Sequence, residues 1–300
     1  MPYPSPLVYP SALLYPGLAG ASFPPVSVNS ITMNTVDSSG IQWVLSDLQG
    51  WGSPGSTAQA TPRARGRGST MSEAFLKHRT MVGTGAILVT DPALLTSAID
   101  QLIAAVDLNP FNIIVAEPGL TRSISVQRQD DVLPKKLSPY AAEFSFQVIA
   151  KDPIKYGDLV TTTTLLPSST GGRTYPATYP ITYTGVSNTG VVRINNAGNT
   201  QAPVWLRIDG PIPAGGWTVT HVGKKQSLSF ASSLALAAGE FVTVDMDRRE
   251  ILAQGQSARA GYVTSRGWFT LDPGANDIAF SAANYSPTAL LTVTTKPSWS

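Results

Sequence analysis

The chain has 300 residues, roughly two domains' worth at ~100–200 residues each. Lys+Arg 21 against Asp+Glu 19 leaves a net charge of +2, too little to steer the protein onto nucleic acid or an anionic membrane. The Cys count of 0 excludes disulfide scaffolds, thiol nucleophiles, thiolate zinc sites and iron–sulfur clusters. Charged residues are 13% and hydrophobic residues 42%, so the chain folds, and its sparse surface charge suggests cover by neighbouring subunits.

Met1 to Pro25 is uncharged and dotted with Tyr3, Tyr9 and Tyr15. It has no Lys or Arg before Arg63, so the basic start of a secretory signal is missing, and Pro2, Pro4, Pro6, Pro10 and Pro16 break any spanning helix. An extended arm is expected there. Strand-like alternation begins at Val26 and recurs from Ile41 to Leu48, closed by Gly50-Trp51-Gly52-Ser53-Pro54-Gly55. Thr61 to Ser69, carrying Arg63, Arg65 and Arg67 between small residues, reads as a loop. Met81 to Thr90 reads as a strand ending at Asp91-Pro92, an N-cap followed by a proline suited to the first helical position. Leu94, Leu95, Ala98, Ile99, Leu102, Ile103 and Val106 then follow a helical period, which predicts a helix over 92–106. Strands are expected at Phe111 to Ala116, Ser123 to Gln127 and Glu143 to Ala150.

The boundary is drawn where composition shifts. A β-rich domain spans 26–150, and the Thr-, Ser-, Gly- and Pro-rich stretch 151–180 reads as a linker or arm. Residues 181–300 hold short strands at Ile181–Ile194, Val204–Ile208, Trp217–His221, Ser227–Phe230, Phe241–Asp245, Glu250–Ala253, Trp268–Leu271, Asp277–Ser281 and Ala289–Thr295. That rhythm argues for an antiparallel sandwich of jelly-roll or galectin type, and the fold class for the whole chain is mainly β with one α-helix.

The motifs of hydrolases, zinc proteases, P-loop proteins and kinases do not occur, and only His78 and His221 are available for acid–base work; both read as structural or surface residues. Gly83-Thr84-Gly85 lacks the third glycine of a dinucleotide loop and reads as relief of crowding in a strand. Asp245-Met246-Asp247 with Glu250 has no glycine-containing acidic loop around it, so Asp247-Arg248-Arg249 reads as a hairpin turn rather than a calcium site. Glu117, Glu143, Glu240 and Asp245 are too dispersed to suggest a glycosidase pair. No catalytic residue, metal or cofactor is expected. Arg63, Arg65 and Arg67 lack interleaved aromatics, which argues against nucleic-acid recognition and for a subunit contact. In an extended loop all three would point to one side.

Asn195-Asn196-Ala197-Gly198-Asn199, then Ala202-Pro203-Val204-Trp205-Leu206-Arg207-Ile208-Asp209-Gly210-Pro211, resemble a known family. Gly239-Glu240 before Val242-Thr243-Val244-Asp245, and Trp268-Phe269-x-Leu271-x-Pro273-Gly274-x-Asn276-x-Ile278-x-Phe280, add to the likeness. This pattern is similar to the galectin-like C-terminal domain of distal tail proteins of long-tailed, siphovirus-type bacteriophages. The N-terminal half is similar in the order of its elements. The resemblance implies a virion protein made in the bacterial host cytoplasm and located at the distal end of the tail. It also implies a hexameric ring as homo-oligomer, set between the tail tube protein and a tail-associated hub protein, with sandwiches holding tail fibres or receptor-binding proteins. Trp51 joins Arg63, Arg65 and Arg67 as an expected interface residue. The alternative is a carbohydrate-binding module contacting the host surface, with Trp205, Trp217 and Trp268 as the residues that would stack on sugar.

Overall fold

The computed structural model describes residues 24–170 and 186–300. The first twenty-three positions of the expected arm and residues 171–185 of the expected linker and first sandwich strand lie outside them. Two compact units meet at the Pro153–Ile154 bond.

The first unit contains β1 (Val26–Val28), β2 (Ile31–Met33), β3 (Thr35–Val36), β4 (Gln42–Gln49), β5 (Ser56–Thr57), β6 (Ala60–Pro62), β7 (Ser69–Met71), β8 (Phe75–Leu76) and β9 (Arg79–Leu88). After β9 come α1 (Pro92–Ala105), β10 (Phe111–Glu117), β11 (Leu120–Arg128), β12 (Leu133–Ser138) and β13 (Ala141–Ala150). The strand order is β2-β1-β10-β11-β13-β9-β4-β3, with β12 paired to the first half of β13. β13 sits at the centre, its burial alternating with strict period two.

Gly83 and Gly85 have the role expected of them, and the structure shows what crowds the strand. Phe146 lies opposite Gly83 and Phe144 opposite Gly85. A Cβ on Gly83 would stand 2.3 Å from the Phe146 ring, and one on Gly85 would stand 2.0 Å from the Val44 carbonyl oxygen. The two rings, 6.1 Å apart and nearly parallel, therefore lie over bare backbone on β9. β4 carries a bulge next to that carbonyl, between Leu45 and Asp47.

The helix forms as its pattern predicts. Asp91 caps it, its carboxylate accepting from the Ala93 N–H at 2.9 Å, and Pro92 occupies the first turn. Leu95, Ala98, Ile99, Leu102 and Ala105 are buried against the core, whereas Ile103 faces out. β12, by contrast, was not foreseen. Its six residues are all exposed and include Pro134, so no periodicity marks it; only the β13 edge makes it a strand.

The second unit contains β14 (Lys155–Tyr156), β15 (Val160–Leu165), β16 (Ser168–Thr170), β17 (Val186–Asn188), β18 (Val191–Asn196), β19 (Val204–Asp209), β20 (Trp217–His221) and β21 (Gln226–Phe230). It continues with β22 (Phe241–Asp245), β23 (Glu250–Ala253), β24 (Ser257–Ala258), β25 (Val263–Arg266), β26 (Gly274–Ala282), β27 (Leu290–Thr295) and β28 (Ser298–Trp299). A 6-stranded sheet, β15-β27-β19-β22-β23-β24, and a 5-stranded sheet, β18-β26-β20-β21-β25, share one core. Leu206, Val244 and Val293 come from the first, and Trp217, Val219, Ile278 and Phe280 from the second. The chain is mainly β, and α1 is the one α-helix among the described residues.

Two expectations need correction. Segment 151–180 is not a linker throughout, because Val160–Leu165 pairs along its whole length with Leu290–Thr295. β-branched threonines suit a pleated strand, and Thr164 is buried. Trp268–Leu271 is not a strand: only Leu271 bridges, to Ala202, and the ladder forms instead at Val263–Arg266. Phe269 and Leu271 are apolar because they plug the core from a connecting segment.

If the glycine–aromatic packing is sound, Gly85→Ala loses more than about 2 kcal/mol in urea unfolding. Gly52→Ala, where an added Cβ meets nothing within 4 Å, stays within about 0.5 kcal/mol of the parent.

Candidate assembly surfaces

β4 and β9 are antiparallel neighbours, and the connection between them leaves the sheet as a long β-arm. Ser56–Thr57 pairs with Phe75–Leu76, and Ala60–Pro62 with Ser69–Met71. On the root side of the first ladder the Lys77 N–H donates to the Gly55 carbonyl at 2.7 Å, and between the two ladders the Ser72 N–H donates to that of Gln59 at 2.8 Å. From Gly55 to His78 every residue is exposed. Met71 is 64% and Phe75 59% exposed, with Leu76 beside them. A two-stranded ribbon with no packed face is marginal in water.

Arg63, Arg65 and Arg67 lie at the arm's tip, where the Arg63 N–H donates to the Gly68 carbonyl at 3.2 Å. Gly66 and Gly68 take positive φ values of 106° and 94°. The tip is thus a tight reversal, not the extended run in which the three side chains would point one way. Trp51 sits at the opposite end of the arm, packed against the core of the first unit with the Arg122 guanidinium 5.8 Å from its ring centroid. Arg122 also pairs with Glu117. One element therefore carries all four residues, but at its two ends.

The root of the arm is held by a residue the sequence reading passed over. Arg79, at the start of β9, is 1% exposed. Its Nη1 donates to the carbonyls of Gly50, Trp51 and Gly52 at 2.8, 2.9 and 3.0 Å, and its Nε donates to that of Pro153 at 3.0 Å. Burial pushes the guanidinium below arginine's ordinary value, and it stays charged because that value is so high. Arg79 is in phase with the inward residues Met81, Gly83 and Gly85, and a cation at an inward position was the available signal.

In the second unit the three tryptophans do not form one site. Trp217 is 1% exposed and stacks on Phe230 with centroids 3.8 Å apart, so it is core and unavailable to sugar. Trp268 packs against the core from the segment after β25. Trp205 alone lies on the outer face of the 6-stranded sheet, its indole N–H donating to Asp245 Oδ2 at 3.0 Å. His221 is buried: its Nε2 bonds Asn276 Oδ1 at 3.0 Å and its Nδ1 accepts from the Lys224 N–H at 3.2 Å. His78 is exposed near the arm's root.

Residues 197–299 match the family model described as siphovirus-type tail component, C-terminal domain. No curated protein matches the sequence. Among solved structures, the SPP1 Dit (gp 19.1) protein, a paradigm of hub adsorption apparatus in Gram-positive infecting phages, is similar with a TM-score of 0.61. The likeness covers 85% of this chain and 93% of that one at 12% identity. The chain has a Dit-like fold. A chain of the phage p2 baseplate in its activated conformation with Sr covers 92% of this chain and 98% of its own, at 10% identity and a TM-score of 0.48.

The turn residues that carry the resemblance prove to be structural hubs of the Dit-like second unit. Asn196 is fully buried; its amide donates to the Thr200 and Leu271 carbonyls, and its Oδ1 accepts from the Gly198 and Ser298 N–H groups. A Cβ on Gly198 would stand 1.8 Å from the Ser298 carbonyl oxygen. Asn276 donates to the Asp272 and Gly274 carbonyls while accepting from the Asp272 N–H and His221. Each asparagine closes its own turn and ties it to a distant strand or terminus, which a shorter or apolar side chain does not do.

Arg79→Met strands four carbonyls and is expected to cost about 3 kcal/mol or more in urea unfolding, while Arg79→Lys, with fewer donors in fork geometry, falls between it and the parent.

Proposed function

We propose that this chain is a structural, non-enzymatic subunit of the distal end of a long-tailed bacteriophage tail. In this reading copies made in the host cytoplasm assemble into a hexameric ring that joins the tail tube protein to the tail-associated hub protein and to receptor-binding components. The observation that carries it is a Dit-like fold spanning both units, one of which presents an arm with no core of its own.

The exposed apolar side chains of the first unit support a role in association. Leu108, Leu133, Leu137 and Tyr140 join Met71, Phe75 and Leu76 on the first unit. Such a set is costly on a free monomer and ordinary on a face covered by a neighbour. β12 adds an outer edge whose backbone groups have no further strand partner among the described residues, which is a template for association unless covered. The first unit therefore carries self-association, and the arm reaches from one copy to the next in a head-to-tail contact of the kind that closes rings. Arg63, Arg65 and Arg67 supply the polar rim of that contact. Exposed pairs of this sort contribute about 0.2–1 kcal/mol each and weaken with salt.

Native mass spectrometry of the full chain should give the mass of six copies, with a ring in negative-stain images. Replacing residues 56–76 with a short Gly-Ser turn should leave a folded monomer. A full chain that stays monomeric at every concentration, or a shortened arm that still closes the ring, contradicts the proposal. Arg63→Ala/Arg65→Ala/Arg67→Ala should fold normally, assemble several-fold more weakly at low salt and lose most of the parent's salt sensitivity.

A further inference from the structure

The strand order of the first unit leaves a seam. β2 and β3 follow one another in sequence yet stand at the two ends of that order, and among the described residues no strand lies between the free edge of β2 and the β3–β4 hairpin. A hollow of about 510 Å³ occupies this place, lined by Ile31 and Thr32 of β2, Thr35 of β3, Trp43 of β4, and Gln101 and Ala104 of α1. Val28 and Ile31 flank a two-residue turn and so face each other as a hydrogen-bonded pair. Thr32, one residue on, therefore turns its N–H and carbonyl away from β1 and toward the seam. The Thr35 hydroxyl takes the carbonyl at 2.7 Å, and the N–H is left for an occupant.

The hollow suits an uncharged occupant. Asp37 is the one charged residue in its wall, and both carboxylate oxygens are engaged: Oδ1 by the N–H groups of Ser39 at 2.8 Å and Ile41 at 3.0 Å, and Oδ2 by the Trp43 indole at 3.2 Å. With its N–H so used, Trp43 offers only ring surface. Asn34 brings a stretch of chain to this wall. Its main-chain N–H donates to the Trp43 carbonyl at 2.7 Å and its Oδ1 accepts from the Leu45 N–H at 2.9 Å, which fixes it against β4. Its side-chain amide then donates to the Pro24 carbonyl at 3.1 Å, while the Pro25 carbonyl accepts from the Ala116 N–H at 3.1 Å. Pro24 is thus pinned beside Asn34, whose neighbour Thr35 is already in the wall.

We propose that this hollow is the seat of the chain's own N-terminal segment, with the apolar run Leu13-Leu14-Tyr15 packed over Trp43 and Ala104. Residues 1–23 carry no charged side chain and include Pro2, Pro4, Pro6, Pro10 and Pro16. Proline supplies a carbonyl acceptor and no N–H donor, which matches an edge whose free group is an N–H. Extended Pro-rich chain also fits a groove lined by an aromatic ring. Residues 16–23 span up to about 28 Å, whereas β2 is only about 10 Å long, so the run reaches any point of the hollow without leaving its own subunit. A neighbouring copy's segment would compete against one tethered at the rim, which effective concentration favours. The seat belongs to a single copy and does not depend on ring formation.

The Cys count of 0 makes disulfide trapping in the full chain selective. Leu13→Cys, Leu14→Cys and Tyr15→Cys are each combined with Ala104→Cys and oxidised mildly at low protein concentration; in the controls Leu133→Cys, on the exposed β12, replaces the Ala104 partner. At least one of the three pairs should close within a single chain about tenfold or more faster than its control, since a disulfide needs Cα atoms within about 7 Å. Hydrogen exchange gives a reading that needs no new thiol. Deleting residues 2–21 should speed exchange of the Thr32 amide about tenfold or more and leave the β13 amides unchanged. Closure between chains instead of within one, closure no faster than the controls in all three pairs, or an unchanged Thr32 amide in the folded deletion variant would overturn the proposal.

Discussion

A single buried cation decides where the first unit's sheet stops and its arm begins. Arg79 lies inside the protein and faces four main-chain carbonyls, three of them consecutive at the point where the chain leaves β4. An unpaired buried charge is expensive, but a guanidinium that aims planar donors at carbonyl dipoles regains much of that cost and fixes their direction. The middle of the same strand is held differently, by glycines that admit Phe144 and Phe146. β9 therefore anchors the arm at its first residue and the aromatic layer at its fifth and seventh.

The two units differ in how fully they satisfy themselves. The second unit fills the space between its sheets with apolar side chains and ties its turns together through Asn196, His221 and Asn276. The first unit has a core of similar kind yet extends a ribbon that the core does not reach. Water offers that ribbon no apolar partner, and its short ladders contribute too few backbone bonds to hold it alone. On the proposed function, the missing half of the packing belongs to another copy.

How much of this was legible follows from what each element's sequence must advertise. The helix after Asp91 was plain, since a cap, a first-turn proline and a 3.6-residue period coincide. Strands with one face buried, such as Ala141–Ala150 and Trp217–His221, showed their period of two. β12 is exposed on both faces, and the threonines of Val160–Leu165 alternate in burial without alternating in polarity, so neither pattern reaches the sequence. Among the candidate residues, Trp205, Trp217 and Trp268 look alike in sequence and differ only through strand phase and connection, which set one on the surface and one in the core. Arg79 was hidden by its neighbours Lys77 and His78, which make it look like part of a solvated basic run.

The most direct measurement is hydrogen exchange of the arm amides, Gly55 to His78, in the free subunit and in the assembled particle. If the arm is completed by a neighbouring copy, these amides exchange rapidly in the free chain and are protected on assembly, while those of β9 and β13 stay protected in both. Equal exchange of the arm in the two states would contradict the account.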